Sequence, residues 1–126
     1  MVEIKEIVGV DDLYNFLNDT PEEIHVVLFD NDQEHAPNCI MENLENLSTE
    51  KVGNALFAIA DMNKTENEPL KTEREFYIFP SVEFFKNNKS YVRHLGHLNE
   101  FGFYEIIDEI NEGYYIPSDE TENKEE

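Results

Sequence analysis

Short apolar runs alternate with polar breaks along the chain, and the spacing inside each run assigns an element. Val2-Glu3-Ile4-Lys5-Glu6-Ile7-Val8 alternates apolar with charged positions, the pattern of a strand with one wet face, and Gly9 ends it. A first strand is therefore predicted over 2–8. Asp11 is a candidate cap for a helix over 12–18, in which Leu13, Phe16 and Leu17 share a face before Thr20-Pro21 closes it. Ile24-His25-Val26-Val27-Leu28-Phe29 is nearly continuous and β-branched, which suits a strand buried on both faces near a sheet centre. Polarity then changes abruptly through Asp30-Asn31-Asp32-Gln33-Glu34-His35. Pro37 stands where a proline is tolerated, in the first turn of a second helix whose Ile40, Leu44 and Leu47 share one face.

Ala55-Leu56-Phe57-Ala58-Ile59-Ala60 is a second continuous apolar run, ending at Asp61, and predicts another central parallel strand. Met62 to Glu75 is polar and contains Pro69, so a loop with at most a short helix around Leu70 is expected. Ser81–Lys86 and Tyr91–Leu95 flank Asn87-Asn88-Lys89-Ser90, turn-forming residues that join two strands into a hairpin. Phe103, Ile106, Ile107 and Ile110 define an amphipathic last helix over 99–111. This order requires parallel crossovers in the first half and an antiparallel pair in the second. The expected class is α/β, a mixed sheet sandwiched by helices.

At 126 residues the chain has the size of one domain, long enough for one core and too short for two. The domain is expected over 1–113 and an acidic, disordered tail over 114–126. Pro117 to Glu126 carries five acidic residues against Lys124, too little apolar surface to offset chain entropy of ~1–2 kcal/mol per residue. Tyr114, Tyr115 and Ile116 are expected to tuck against the last helix. The 29 acidic residues outnumber the 9 basic ones, for a formal charge of -20. Such a charge repels phosphate backbones and anionic lipids, which argues against nucleic acid or a membrane surface as partner, and it speeds encounter with a basic segment. No apolar run exceeds six residues, and the amino terminus has no secretory pattern, so a cytoplasmic chain is expected.

Cys39 is the only cysteine, which excludes an intramolecular disulfide and a Cys-rich zinc site. It leaves a structural thiol, a reactive monothiol, or a bridge to another molecule. His35 and Cys39 are four apart, but Pro37 places His35 ahead of the helix, so no metal site and no cofactor are expected. His94 and His97, on either side of Gly96, read as surface imidazoles. Asp30-Asn31-Asp32 is only a fragment of a calcium loop, and the many carboxylates read as a solvated acidic surface.

The element order over residues 2–112 resembles the thioredoxin superfamily. The stretch Phe76-Tyr77-Ile78-Phe79-Pro80-Ser81-Val82-Glu83-Phe84-Phe85-Lys86-Asn87-Asn88 is similar to the family's run of cis-proline, strand and polar turn, and Gly96 matches a glycine position of the family. The resemblance implies a three-layer sandwich around a mixed five-stranded (or four-stranded) sheet, with a cis bond before Pro80 ahead of the antiparallel hairpin. The family's redox members carry Cys-x-x-Cys at a helix amino terminus, where the dipole stabilises the attacking thiolate and the second thiol resolves the mixed disulfide. Here the region reads Glu34-His35-Ala36-Pro37-Asn38-Cys39. If Cys39 takes the second cysteine's place, Ala36 replaces the nucleophile; if Pro37 aligns with the family's proline, His35 and Asn38 replace both. Either register removes the dithiol.

On that resemblance the chain is a redox-inactive binding or scaffold module for a protein or extended peptide, with a basic segment favoured. Its rim would be Asp32, Glu34, His35, Ala36, Pro37, Asn38 and Cys39 facing Phe79, Pro80 and Ser81. Phe79 either offers an aromatic surface to the peptide or fills the gap left by the missing dithiol. The alternative is a monothiol oxidoreductase in which Cys39 is catalytic and an external thiol resolves. In that reading the helix dipole and His35 lower the thiol pKa, whereas Asp30, Asp32, Glu34 and Glu42 oppose them. Cys39 as a small apolar side chain beside Ile40 is the plainer account. The chain could also be one unit of a longer secretory protein of the disulfide-isomerase kind, in which redox-inactive units bind substrate.

Overall fold

The computed structural model describes residues 2–31, 40–75 and 78–117. Its elements are β1 Ile4–Ile7, α1 Val10–Asp19, β2 His25–Asp30, α2 Ile40–Glu45, α3 Thr49–Val52, β3 Leu56–Asp61, α4 Glu68–Arg74, β4 Ser81–Lys86, β5 Lys89–Leu95 and α5 Glu100–Asn111, with a 3₁₀ turn at Thr65–Asn67. The strands form one mixed five-stranded sheet in the order β1-β3-β2-β4-β5. β3 runs parallel to both β1 and β2, and β4 runs antiparallel to both β2 and β5.

The two continuous apolar runs take the interior positions because a strand covered on both faces has no wet side to make polar. Every residue of β2 is buried. Its side chains alternate between two cores. Val26 and Leu28 join Ile40, Leu44, Val52, Phe103, Ile107 and Ile110 on the face covered by α2, α3 and α5. Val27 and Phe29 join Leu13, Phe16, Leu17 and Leu70 on the face covered by α1 and α4. Each fully buried Leu, Ile or Phe side chain contributes about 1.5–3 kcal/mol, so both helical layers are held mainly by these stripes.

Several local expectations are corrected. Asp11 does not cap α1: the helix starts earlier, at Val10, with Gly9 at the cap position (φ 95) and no side-chain cap bond. Asp12 instead reaches back and accepts the Val8 N–H at 2.9 Å. Both acids then lie in the first turn, beside the positive helix end. The hairpin turn is two residues rather than four, because Asn87 (φ 55) and Asn88 (φ 63) both adopt the left-handed conformation that Asn tolerates, so β5 begins at Lys89. The one-turn helix α3 was invisible to periodicity and is fixed by Ser48, whose hydroxyl accepts the Lys51 N–H. Of Tyr114, Tyr115 and Ile116, Tyr115 packs on the core and donates its hydroxyl to Glu109 at 2.7 Å, whereas Tyr114 and Ile116 are exposed.

The polar stretch between β3 and β4 carries a buried anchor. Asn67 accepts the Gly9 N–H at 2.7 Å and donates to the carbonyls of Ile7 and Asp61, both at 3.0 Å. One amide thus ties the ends of β1 and β3 to the start of α4. Among the described residues no helix is long and apolar enough to cross a membrane.

Candidate functional site

The two limbs of the expected rim leave the sheet from neighbouring strands. β2 delivers its last residues, Phe29 and Asp30, to the end where Phe29 lies opposite Ser81, the first residue of β4. Asp32, Glu34, His35, Ala36, Pro37, Asn38 and Cys39 follow from β2 and lie outside the described residues. Phe79, Pro80 and Ser81 form the other limb. The Phe79–Pro80 bond is cis.

That limb is pinned by hydrogen bonds on both sides of the proline. Ser81 is fully buried and its hydroxyl donates to the Ile78 carbonyl, closing the loop on itself. The Gly96 N–H donates to the Pro80 carbonyl at 2.8 Å, which ties the loop to the end of β5. Gly96 has φ 90, a conformation that favours glycine. Ser81, sealed and committed to a carbonyl, is no nucleophile. The Phe79 ring packs against the core on the α1/α4 face, so its role includes filling the interior. The exposed apolar surface here comes from its neighbours: Ile78 is 54% exposed and Leu95, opposite Ser81, is 51% exposed. Sequence reasoning missed both, because Ile78 stands in the aromatic run ahead of Pro80, outside any predicted strand, and Leu95 is the last residue of one.

It also missed the buried ionic cluster behind the loop. Glu83 points from the middle of β4 and is fully buried. Arg74, at the end of α4, meets it at 2.8 Å, and Arg93, directly opposite on β5, lies at 3.5 Å. Arg93 also donates to the Arg74 carbonyl at 2.7 Å and to the Glu75 carbonyl at 3.4 Å, so it caps the free carbonyls of α4. Burial alone would lower the Arg74 pKa, but the Glu83 charge and hydrogen bond outweigh it and hold the guanidinium above its ordinary value. Tyr14 joins from α1, donating to Glu73 at 3.0 Å; burial, then that bond, raises the pKa of its hydroxyl. A Glu inside the apolar run Ser81-Val82-Glu83-Phe84-Phe85 was the available signal.

His94, on β5, pairs its Nε2 with the His97 carbonyl at 2.7 Å near the same end. Among the described residues no group of three or more His, Cys, Asp or Glu is arranged to hold a metal ion.

No protein-family model and no curated protein matches the chain. Solved structures do. The thioredoxin of Fasciola hepatica superposes with a TM-score of 0.69 at 22% identity, over 83% of this chain and 97% of that one. Chloroplastic thioredoxin z gives 0.72 at 18% identity, over 90% and 98%. The oxidised thioredoxin of Plasmodium falciparum gives 0.69 at 16% identity, over 86% and 98%. At such identities the likeness speaks for the fold. The chain therefore has a thioredoxin-like fold and, with Cys39 as its only cysteine, lacks the Cys-x-x-Cys dithiol.

Proposed function

We propose that the chain is a redox-inactive thioredoxin-like module that binds a protein or extended peptide at the rim of its sheet. The observation that carries this reading is a thioredoxin-like sheet in a chain with one sulfhydryl. A two-electron thiol–disulfide cycle within one chain needs two sulfurs. What survives without them is a pinned loop with exposed apolar flanks, Ile78 and Leu95, that offer a surface to an extended segment. The rim comprises Phe79 and Pro80, held from beneath by the buried Ser81, together with Asp32, Glu34, His35, Ala36, Pro37, Asn38 and Cys39. Its acidic members favour a basic partner segment. The domain spans 1–113 and the acidic tail 114–126; a single thiol and a charge of -20 suit the cytoplasm.

Two measurements test this. The purified protein, given an insulin-type disulfide with dithiothreitol as the electron source, is expected to leave the rate at that of dithiothreitol alone; catalytic acceleration above it would overturn the reading. Recovery of bound partners should fall in the Asp32→Lys/Glu34→Lys and Ile78→Asp variants, and unchanged recovery in both would remove the rim from the binding surface. The monothiol alternative is separated by alkylation of Cys39 against pH. Slow labelling with a midpoint at or above the free-thiol value of about 8.5 is expected, whereas fast labelling with a midpoint near 6 would favour the oxidoreductase.

A further inference from the structure

The β4–β5 hairpin stands apart electrostatically from the rest of the molecule. Residues 84–99 contain no Asp or Glu, the longest such stretch in a chain with 29, and they carry Lys86, Lys89, Arg93, His94 and His97. The only carboxylate of the hairpin's two strands, Glu83, is buried and paired with Arg74 and Arg93. The hairpin's exposed surface is thus cationic on a molecule of charge -20. Arg93 is already engaged by Glu83 and by the carbonyls at the end of α4, which leaves Lys86 and Lys89, at either side of the turn, as the available charges. β5 is also an edge strand.

The end of α5, six residues before the last described residue, lies at the same end of the sheet as that turn. The Asn87 N–H donates to the Pro21 carbonyl at 2.6 Å. Asn111, the last residue of α5, lines a cavity of about 220 Å³ with Glu22, Glu23 and Ile24. The hairpin turn and the end of α5 therefore border the same segment, 21–24. Beyond Pro117 come nine residues that include Asp119, Glu120, Glu122, Glu125 and Glu126. Nine residues extended reach at most about 30 Å, more than the length of β5.

We propose that the acidic carboxy-terminal segment, 118–126, docks on the β4–β5 hairpin of its own chain, with its carboxylates at Lys86 and Lys89. Charge complementarity needs no fixed conformation of the segment. A foreign acidic segment would first meet the long-range repulsion of the whole molecule, whereas a tethered one is held at an effective concentration of order millimolar. A second copy seated hairpin to hairpin would oppose lysine to lysine, the arrangement by which edge strands resist pairing. Docking would leave the carboxylates of the rim free and neutralise the cationic hairpin.

The test uses the full chain with Asp119, Glu120, Glu122, Glu125 and Glu126 changed to their amides. At low salt, acetylation of Lys86 and Lys89 should speed up about three-fold relative to the parent, the scale of exposed ion pairs, while Lys71 is unchanged. The difference should vanish in 0.5 M salt. Zero-length carboxylate–amine crosslinking of a mixture of light and isotope-labelled parent chains should join Lys86 or Lys89 to 119–126 within one chain. Unchanged acetylation overturns the proposal. So do crosslinks that join light to labelled chains, or that fall on Lys5, Lys51 or Lys64 in place of the hairpin.

Discussion

At the scale of single residues, the buried polar side chains carry the strongest consequences. His25 opens β2 almost fully buried, its Nδ1 paired with the Glu23 carbonyl at 3.0 Å and its ring edge-on to Phe16 at 4.9 Å. Its Nε2 is buried with no hydrogen-bond partner among the described residues. Burial holds its pKa below the ordinary 6.5, although the Glu23 carbonyl and the Asp19, Glu23 and Glu22 charges pull the other way. A histidine whose folded pKa is depressed binds fewer protons folded than unfolded, so stability rises with pH across the interval between the two values. The urea midpoint should therefore drop as pH falls from 7.5 through 6.5 to 5.5. His25→Phe should flatten that slope, and an equally steep slope in the variant would exclude His25 as its source.

Glu83 makes the complementary case. Removing one partner of a buried ion pair strands the other and costs about 3–5 kcal/mol. Arg74→Met should destabilise the protein by roughly that amount, because the second cation, Arg93, stands farther off at 3.5 Å. Arg74→Met combined with Glu83→Leu should be more stable than Arg74→Met alone, since the orphaned carboxylate is gone. Equilibrium denaturation of the double-mutant cycle gives the comparison; strict additivity would show that the pair is not coupled. The sequence advertised this carboxylate only as a break in an apolar run. Its partners come from positions 74 and 93, and nothing in local pattern links them, so the cluster had to be seen folded.

At the scale of elements, legibility followed length and periodicity. β2 and β3 could be placed at the sheet interior because burial on both faces removes polar residues from the sequence itself. α5 was legible because its stripe is four residues deep. α3, with four residues, has no period to read and depends on one capping hydroxyl. α4, with seven, starts just ahead of Pro69, in the first turn where proline costs least. The hairpin shows how turn chemistry sets register. With Asn87 and Asn88 both at positive φ, the turn takes two residues and Lys89 already pairs with Lys86. A β-branched residue at such a position pays about 1–2 kcal/mol, and glycine avoids the cost. Asn88→Val should lower stability by roughly 1 kcal/mol or more, whereas Asn88→Gly should leave it unchanged or slightly raised. Thermal melts of the pair decide it; equal losses in both would mean that the Asn88 side chain, not its backbone, matters.

At the scale of the whole molecule, the half of the rim that follows β2 was described by sequence alone, and the half around Pro80 gained its pins, Ser81 to Ile78 and Gly96 to Pro80, only in three dimensions. Charge was legible throughout, and it predicts a bulk property. Ion pairs at Lys5–Asp12 and Lys64–Glu6 are exposed and long, each at 3.4 Å, and pairs of that kind contribute little. Against them stands the self-repulsion of a charge of -20 compressed into one domain. Salt screens both, with a Debye length of about 10 Å at 0.1 M and 3 Å at 1 M, but the unfolded chain spreads its charges and gains less from screening. The buried Glu83 cluster is shielded from salt and drops out of the comparison. Raising sodium chloride from 0.05 M to 0.5 M at pH 7.5 should therefore raise the melting temperature, with the steepest gain below 0.2 M. A melting temperature that stays level or falls would mean that attractive surface pairs outweigh repulsion, and that the excess of carboxylates is arranged far from itself in the folded state.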